Sequence, residues 1–261
     1  MTEAVEKTED IPELSLVIPC YNEEDVIGNT AAHLLEVFRA MDVDLELVLV
    51  DNGSADGTGK IIDKLIADGR PVVKATVTVN QGYGNGVLCG IEASRGKFIG
   101  FTCADGQVEA EDVAKAYRTA AQMKEDRLVK VRRRFRMDGL ARKCISTLYN
   151  LLITVMFGGL GSIDINGNPK IVKREHIERM NLRSKDWFID AEMMIKAKKL
   201  GLEVYEFNVL SQMREGGSSN VNAGTCWEFI VNLLKYRFGR ALSIKSEQEL
   251  ERLSSNKNIN S

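Results

Sequence analysis

Lys97-Phe-Ile-Gly-Phe-Thr-Cys-Ala-Asp-Gly-Gln107 is the stretch on which the reading of this chain turns. Its first half is apolar and β-prone, which predicts a buried strand. It then breaks into small and polar residues, with Asp105 and Gln107 one residue apart just past the strand's carboxyl end. In an open α/β sheet, ligands sit along that edge. If the chain stays extended there, alternation puts both side chains on one face. A carboxylate and an amide carbonyl together suit a hard divalent cation such as Mg²⁺, which takes oxygen ligands and shares them with substrate phosphates. The competing reading is a strand followed by a polar turn, with Asp105 capping a helix that starts near Glu109. Both fit this stretch taken alone.

Toward the N-terminus, Leu14-Ser-Leu-Val-Ile-Pro19 predicts a buried first strand ended by proline. The acidic run Tyr21-Asn-Glu-Glu-Asp25 suits the first turn of a helix, where negative charge meets the positive dipole end. That helix reaches about Met41, with Ile27, Ala31, Leu34, Leu35 and Phe38 on one face. Leu45–Val50 is a second strand, and the turn formers Asp51-Asn-Gly-Ser-Ala-Asp-Gly-Thr58 lead from it into a helix over Gly59–Ala67. Val72–Val79 is a third strand. It ends in Asn80-Gln-Gly-Tyr-Gly-Asn-Gly86, which opens a helix to Ser94. The central strand follows, then a helix over Ala110–Lys124. Repeated strand–helix units build a parallel sheet with helices on both faces, and their loops concentrate polar residues on one edge.

Beyond Lys124 the order is a short strand Leu128–Val131, an amphipathic helix Leu140–Phe157, and the loop Asp164-Ile-Asn-Gly-Asn-Pro-Lys170. A brief strand Ile171–Val172 and a helix Arg174–Met180 come next. Asp190-Ala-Glu192 opens a helix to Leu200. A strand Leu202–Phe207 continues into extended Val209–Arg214, and an amphipathic helix over Thr225–Arg240 closes the order. The chain thus divides into an acidic, disordered 1–13, an α/β domain 14–222, an amphipathic helix 223–242 and a polar tail 243–261.

The 261 residues suffice for one large α/β domain, with or without a C-terminal appendage. The net charge of −2 gives no global attraction to nucleic acid, which is not expected as a partner. Five scattered cysteines without a CxxC pair indicate reduced, cytosolic usage. The acidic start is no secretory signal. Seven basic residues lie between Lys130 and Lys143 against one acid, Asp138, directly before an apolar helix face. A basic flank beside such a face suits lying in the headgroup layer of a membrane; a helix packed on the sheet beside a solvated charge run fits the same residues. The closing helix, with Trp227, Phe229 and Ile230 beside Lys235 and Arg237, offers a second interfacial element or an oligomer contact. His33 and His176 sit in helical segments without partner spacing, and no metal is assigned to them.

Ile18-Pro-Cys-Tyr-Asn-Glu23, Val50-Asp-Asn-Gly-Ser-Ala-Asp-Gly-Thr58, Asn80-Gln-Gly-Tyr-Gly84, Ala104-Asp-Gly-Gln107, Asp190-Ala-Glu192 and Arg214…Gly217…Ser219 stand in order. Together they resemble glycosyltransferase family 2, and within it the dolichyl-phosphate (polyprenyl-phosphate) mannosyl- and glucosyltransferases. The resemblance implies a GT-A, Rossmann-like fold and metal-dependent, inverting transfer of a hexose from a GDP- or UDP-sugar to a lipid phosphate, with Mg²⁺ or Mn²⁺. It implies that Pro19, Tyr21, Glu23, Asp51, Gln81 and Ala104 line the nucleotide-sugar pocket and that Asp105 and Gln107 bind the metal. Arg132 and Arg214 are implied to grip phosphates, with Asp164 and Ser219 on the acceptor side. The expected partners are a nucleotide sugar, a polyprenyl or dolichyl phosphate, and a membrane surface reached peripherally or through a small membrane partner, at the cytoplasmic face. A homo-oligomer is also compatible. Cys103, Asn52 and Asn220 depart from the family pattern. Asp190 is the candidate base if the acceptor is a hydroxyl; a phosphate acceptor needs only positioning and charge neutralisation. Helix capping by Asp190 and Glu192 is the structural alternative. A non-catalytic nucleotide-sugar-binding homologue is the third reading.

Overall fold

The computed structural model describes residues 11–134 and 150–210, together with Leu234, Ile244, Lys245 and Glu249. Arg214, Ser219, Asn220 and the closing helix lie outside the described residues, as do Arg136, Arg142 and Lys143 of the basic run and residues 140–149 of the 140–157 helix.

Seven strands form one sheet in the order β3-β2-β1-β4-β6-β5-β7. They are β1 (Leu14–Cys20), β2 (Leu45–Asp51), β3 (Val72–Thr76), β4 (Phe98–Phe101), β5 (Arg127–Arg134), β6 (Lys170–Lys173) and β7 (Glu203–Leu210). Strands β3, β2, β1 and β4 run parallel, and β6 is antiparallel to both β4 and β5. The helices are α1 (Ile27–Ala40), α2 (Thr58–Ala67), α3 (Tyr83–Ala93), α4 (Ala110–Gln122), the helical residues 150–157 as α5, α6 (Arg174–Met180) and α7 (Ile189–Lys199).

Alternation along the strands divides the core between the two faces. Leu14, Leu16 and Ile18 of β1 and Leu45, Leu47 and Leu49 of β2 pack against α1, α2 and α4. Val17, Val48, Val50, Ile99 and Phe101 face α3, α6 and α7. Helix α1 buries Ile27, Ala31, Leu34, Leu35 and Phe38, the stripe expected from its spacing.

Several boundaries differ from the sequence reading. No acid stands in the first turn of α1, which starts at Ile27. The Glu23–Asp25 run is instead a turn tied to the next loop, where the Glu24 carboxylate accepts the Gly57 N–H at 2.6 Å. Strand β3 stops at Thr76, because only Val72 to Thr76 have β2 residues to pair with. Strand β5 extends to Arg134 because β7 runs beside it over its whole length, register Arg127↔Glu203 to Arg134↔Leu210.

The sheet reverses its winding direction between β1 and β4, since β2 lies on one side of β1 and β4 on the other. At such a switch point the loops after the strands part and leave a crevice. The loops after Cys20, Asp51 and Phe101 meet there.

Candidate functional site

The rim is built first by backbone. Asn52 N donates to Cys20 O at 2.8 Å, and Thr102 N donates to Val17 O at 3.0 Å, so the three loops leave the sheet together. Side chains then lace them. Asn22, held at φ 55°, accepts the Ala55 N–H at 2.8 Å, and Glu23 N donates to Thr58 Oγ1 at 2.9 Å. Asp51 Oδ1 accepts the Ser54 N–H, three residues on, at 3.0 Å in the turn that ends β2. This corner is acidic. Burial pushes the Cys20 thiol well up, and the charges of Glu23, Asp51 and Asp56 push it further, so it stays protonated.

After β4 the chain turns at once and does not stay extended. Gly106 takes φ 63°, and Asp105 Oδ1 accepts the Gln107 N–H at 3.2 Å. The alternation expected of an extended segment therefore fails, but the turn still brings both side chains to one cleft. Asp105 does not cap α4: the cap position is Glu109, without a side-chain bond to the helix. The cleft is lined by Thr102, Cys103, Asp105, Gln107, Val108, Arg133 and Asn168. A carboxylate, an amide carbonyl and a hydroxyl form a hard-oxygen set that suits Mg²⁺ or Mn²⁺.

Of the residues singled out from sequence, Pro19, Tyr21, Glu23 and Asp51 gather on the neighbouring part of the rim, and Tyr21 is 45% exposed there. Ala104 is buried, and its carbonyl accepts from Thr30 Oγ1 at 3.1 Å. Gln81 is exposed and accepts from Lys185 Nζ at 2.7 Å. The glycines after it have a packing reason. A Cβ on Gly84 would meet the backbone of Ser184 and Asp186, and one on Gly82, at φ 112°, would meet Lys185 O. The 80s loop is thus pressed on the 184–186 loop.

Arg132 is not among the cleft-lining residues; its neighbour Arg133 is. Arg133 Nε donates to Asp164 Oδ2 at 3.0 Å and Nη2 to Asp164 Oδ1 at 3.2 Å, a bidentate pair with both side chains nearly buried. Burial alone would raise the Asp164 carboxyl, but the guanidinium and Lys130 hold it well below the usual carboxylate range. Lys130 itself is fully buried against Glu206, Ser162 and the Asp164 carbonyl. Burial, with Lys170 nearby, pushes its ammonium down to about 8.

Asp190 is 2% exposed and ion-paired with the fully buried Lys170. Glu192 has a structural post: it accepts the Arg183 and Ser184 N–H groups and pairs with Lys196 at 2.6 Å, fixing the 183–186 loop. Lys170, Asn168 and Tyr83 stand in segments quoted from the sequence but were given no role there, and Trp187 was not singled out. Tyr83 stacks on Trp187 with centroids 4.7 Å apart, and Asn168 Nδ2 donates to its hydroxyl at 3.2 Å. The one signal available was a lysine set next to Ile171-Val172 in a strand, where a charge needs a buried partner.

Two other groups of metal-capable side chains lie among the described residues, His33 with Glu109 and Glu111, and His176 with Asp126 and Glu175. No described helix is long and apolar enough to cross a membrane.

The chain is similar to proteins named undecaprenyl-phosphate 4-deoxy-4-formamido-L-arabinose transferase. The Photorhabdus laumondii protein is 29% identical over 81% of this chain and 63% of the relative. The Pseudomonas aeruginosa protein is 31% identical over 80% and 60%. The chain thus spans about three-fifths of the length of these curated relatives. Its fold is like that of Mycobacterium tuberculosis glucosyl-3-phosphoglycerate synthase, solved with Mn²⁺, UDP and phosphoglyceric acid, at TM-score 0.67 and 19% identity, covering 87% of this chain and 78% of that one. The family model for glycosyl transferase family 2 matches residues 15–180. The chain belongs to that family.

Proposed function

We propose that this chain transfers a sugar from a nucleotide sugar to a polyprenyl phosphate, with Mg²⁺ or Mn²⁺, at the cytoplasmic face of a membrane. The observation that carries the reading is the convergence of Asp105, Gln107 and Arg133 on one cleft at the ends of β4, β5 and β6, beside the switch point of the sheet. The curated relatives' names support a polyprenyl-phosphate acceptor. The neighbour solved with Mn²⁺ and UDP supports a donor diphosphate near the metal-capable rim.

Asp105 and Gln107 would hold the cation. When bound, it neutralises the charge that grows on the departing diphosphate. The rim around Tyr21, Glu23 and Asp51 binds the nucleoside, with carboxylates placed for ribose or base donors. Arg133 adds fixed positive charge at the cleft wall, already oriented by Asp164. An acceptor phosphate monoester carries about −1.5 to −2 charge near neutral pH, so its oxygen needs positioning more than deprotonation. The burial of Asp190 and its pairing with Lys170 commit its oxygens to an internal partner, which favours this acceptor over a hydroxyl that needs a carboxylate within reach.

The test is a panel of UDP- and GDP-sugars with polyprenyl phosphate in anionic vesicles, with Mg²⁺, Mn²⁺ or EDTA. Transfer that EDTA removes is expected. Asp190→Asn should lower transfer to the phosphate without abolishing it. Transfer to free alcohols that Asp190→Asn abolishes supports the hydroxyl reading. Nucleotide binding without turnover across the panel supports the non-catalytic one.

A further inference from the structure

Between α7 and α3 a chain of hydrogen bonds crosses the cleft wall with its direction fixed at one end. Lys170 is fully buried, and its ammonium donates to Asp190 and, at 3.0 Å, to Asn168 Oδ1. An ammonium has only donors, so Asn168 must turn its oxygen toward Lys170 and its NH₂ the other way. That NH₂ donates to Tyr83 Oη at 3.2 Å. The phenol oxygen is therefore the acceptor in this contact, and its own proton points elsewhere. Among the described residues Asn168 is the hydrogen-bond partner of that hydroxyl. Asn168 lines the cleft beside Asp105 and Gln107, and the Tyr83 hydroxyl lies one hydrogen bond from that lining; the Trp187 stack holds the Tyr83 ring in place. Burial raises the phenol well above its ordinary value, with the charges of Asp190, Cys103 and Asp105 acting in the same direction and Arg133 against it. The group thus keeps its proton at every working pH.

We infer that Tyr83 is a ligand-binding residue whose O–H donates to a phosphoryl oxygen seated in the cleft, and that Lys170 and Asn168 are positioning residues that aim it. The inference rests on the proposed function, because it needs a phosphorylated ligand at this rim. The phosphoryl oxygen belongs either to the donor diphosphate or to the acceptor phosphate, and the two arms of the test separate them.

The full chain is titrated with UDP and GDP in the presence of Mn²⁺, and KM for polyprenyl phosphate is measured in parallel. Tyr83→Phe keeps the ring and its stack but removes the proton, and affinity for the contacted phosphate should fall about 10- to 100-fold, as for a hydrogen bond to a charged group. A fall confined to the nucleotide arm assigns the donor, and one confined to KM for the lipid assigns the acceptor. Asn168→Asp supplies acceptors on both sides and draws the Tyr83 proton to the new carboxylate. It should cost as much as Tyr83→Phe, and the double variant should lose no more than Asn168→Asp alone. Unchanged affinity in both arms for a folded Tyr83→Phe overturns the inference by itself, even if Asn168→Asp does not fold. Additive losses in the double variant overturn the aiming role. A wild-type chain that binds no nucleotide and transfers nothing overturns the proposed function and this inference with it.

Discussion

Arg133→Met separates a structural guanidinium from a surface charge, and its cost can be worked from the geometry. Arg133 gives Asp164 two side-chain bonds at 3.0 and 3.2 Å and a backbone N–H at 3.2 Å, and gives Asn166 O a further bond at 3.1 Å. The paired side chains are only 12% and 11% exposed. Methionine keeps the stem's packing and the backbone N–H but strands a carboxylate in the wall. Stranding one member of a buried pair costs about 3–5 kcal/mol, and the surviving N–H and nearby Lys130 put this case near the lower end, about 3 kcal/mol. Urea unfolding followed by circular dichroism reads the change. Arg133→Met/Asp164→Leu should recover to within about 1 kcal/mol of wild type, since the stranded charge is gone. Arg132→Met should cost less than about 0.5 kcal/mol. A loss below about 1 kcal/mol in the single variant, or a double variant worse than the single, would mean that Arg133 does not hold a buried charge in place.

The same pair sets an acid limb. The folded Asp164 carboxyl titrates below its unfolded value, so on acidification the unfolded chain takes the proton first. The pair's stabilisation is therefore full above roughly pH 4–5 and shrinks below about pH 4. The gap in urea midpoint between wild type and Arg133→Met should narrow from pH 6 to pH 3; a constant gap contradicts this. Gly84→Ala places a methyl against the backbone of Ser184 and Asp186, at 2.6 Å from Asp186 O. The two loops must then part, lowering the melting temperature by several degrees, roughly 1–3 kcal/mol of overpacking; an unchanged melt contradicts the packing account. If the proposed membrane contact holds, Leu151 and Val155, 57% and 75% exposed one turn apart on α5, are the apolar side chains of the described residues that would meet the headgroup layer. Leu151→Glu with Val155→Glu should reduce co-sedimentation with anionic vesicles about tenfold or more. Equal binding by the variant argues against that face.

The sheet was legible because its strands are short apolar runs closed by glycine and polar loops, and that pattern has one economical solution. Orientation was less so: Ile171–Val172 reads the same whether it runs parallel or antiparallel, and only its position between β4 and β5 decides. The rim was legible through Asp51, which ends β2, and Asp105, which stands in the polar turn after β4. The wall was not. In Arg132-Arg133-Arg134 three identical side chains follow one another, and only the pleat of β5 and the place of Asp164 say which one turns to the cleft. Lys170, Asn168 and Tyr83 come from separate parts of the chain, and their hydrogen bonds are a property of the assembled fold. The acids of 23–25 misled because a dipole argument favours them in a helix, whereas the facing loop offers Glu24 the Gly57 N–H.

On the proposed function, Asp105 and Gln107 hold a divalent cation together with a nucleotide diphosphate. The most direct measurement is the electron paramagnetic resonance signal of free Mn²⁺, titrated with the full chain and UDP or GDP, for wild type and Asp105→Ala. Nucleotide-dependent Mn²⁺ binding is expected, and Asp105→Ala should weaken it at least about tenfold, as loss of a carboxylate ligand should. Equal Mn²⁺ affinity in the two proteins would contradict it.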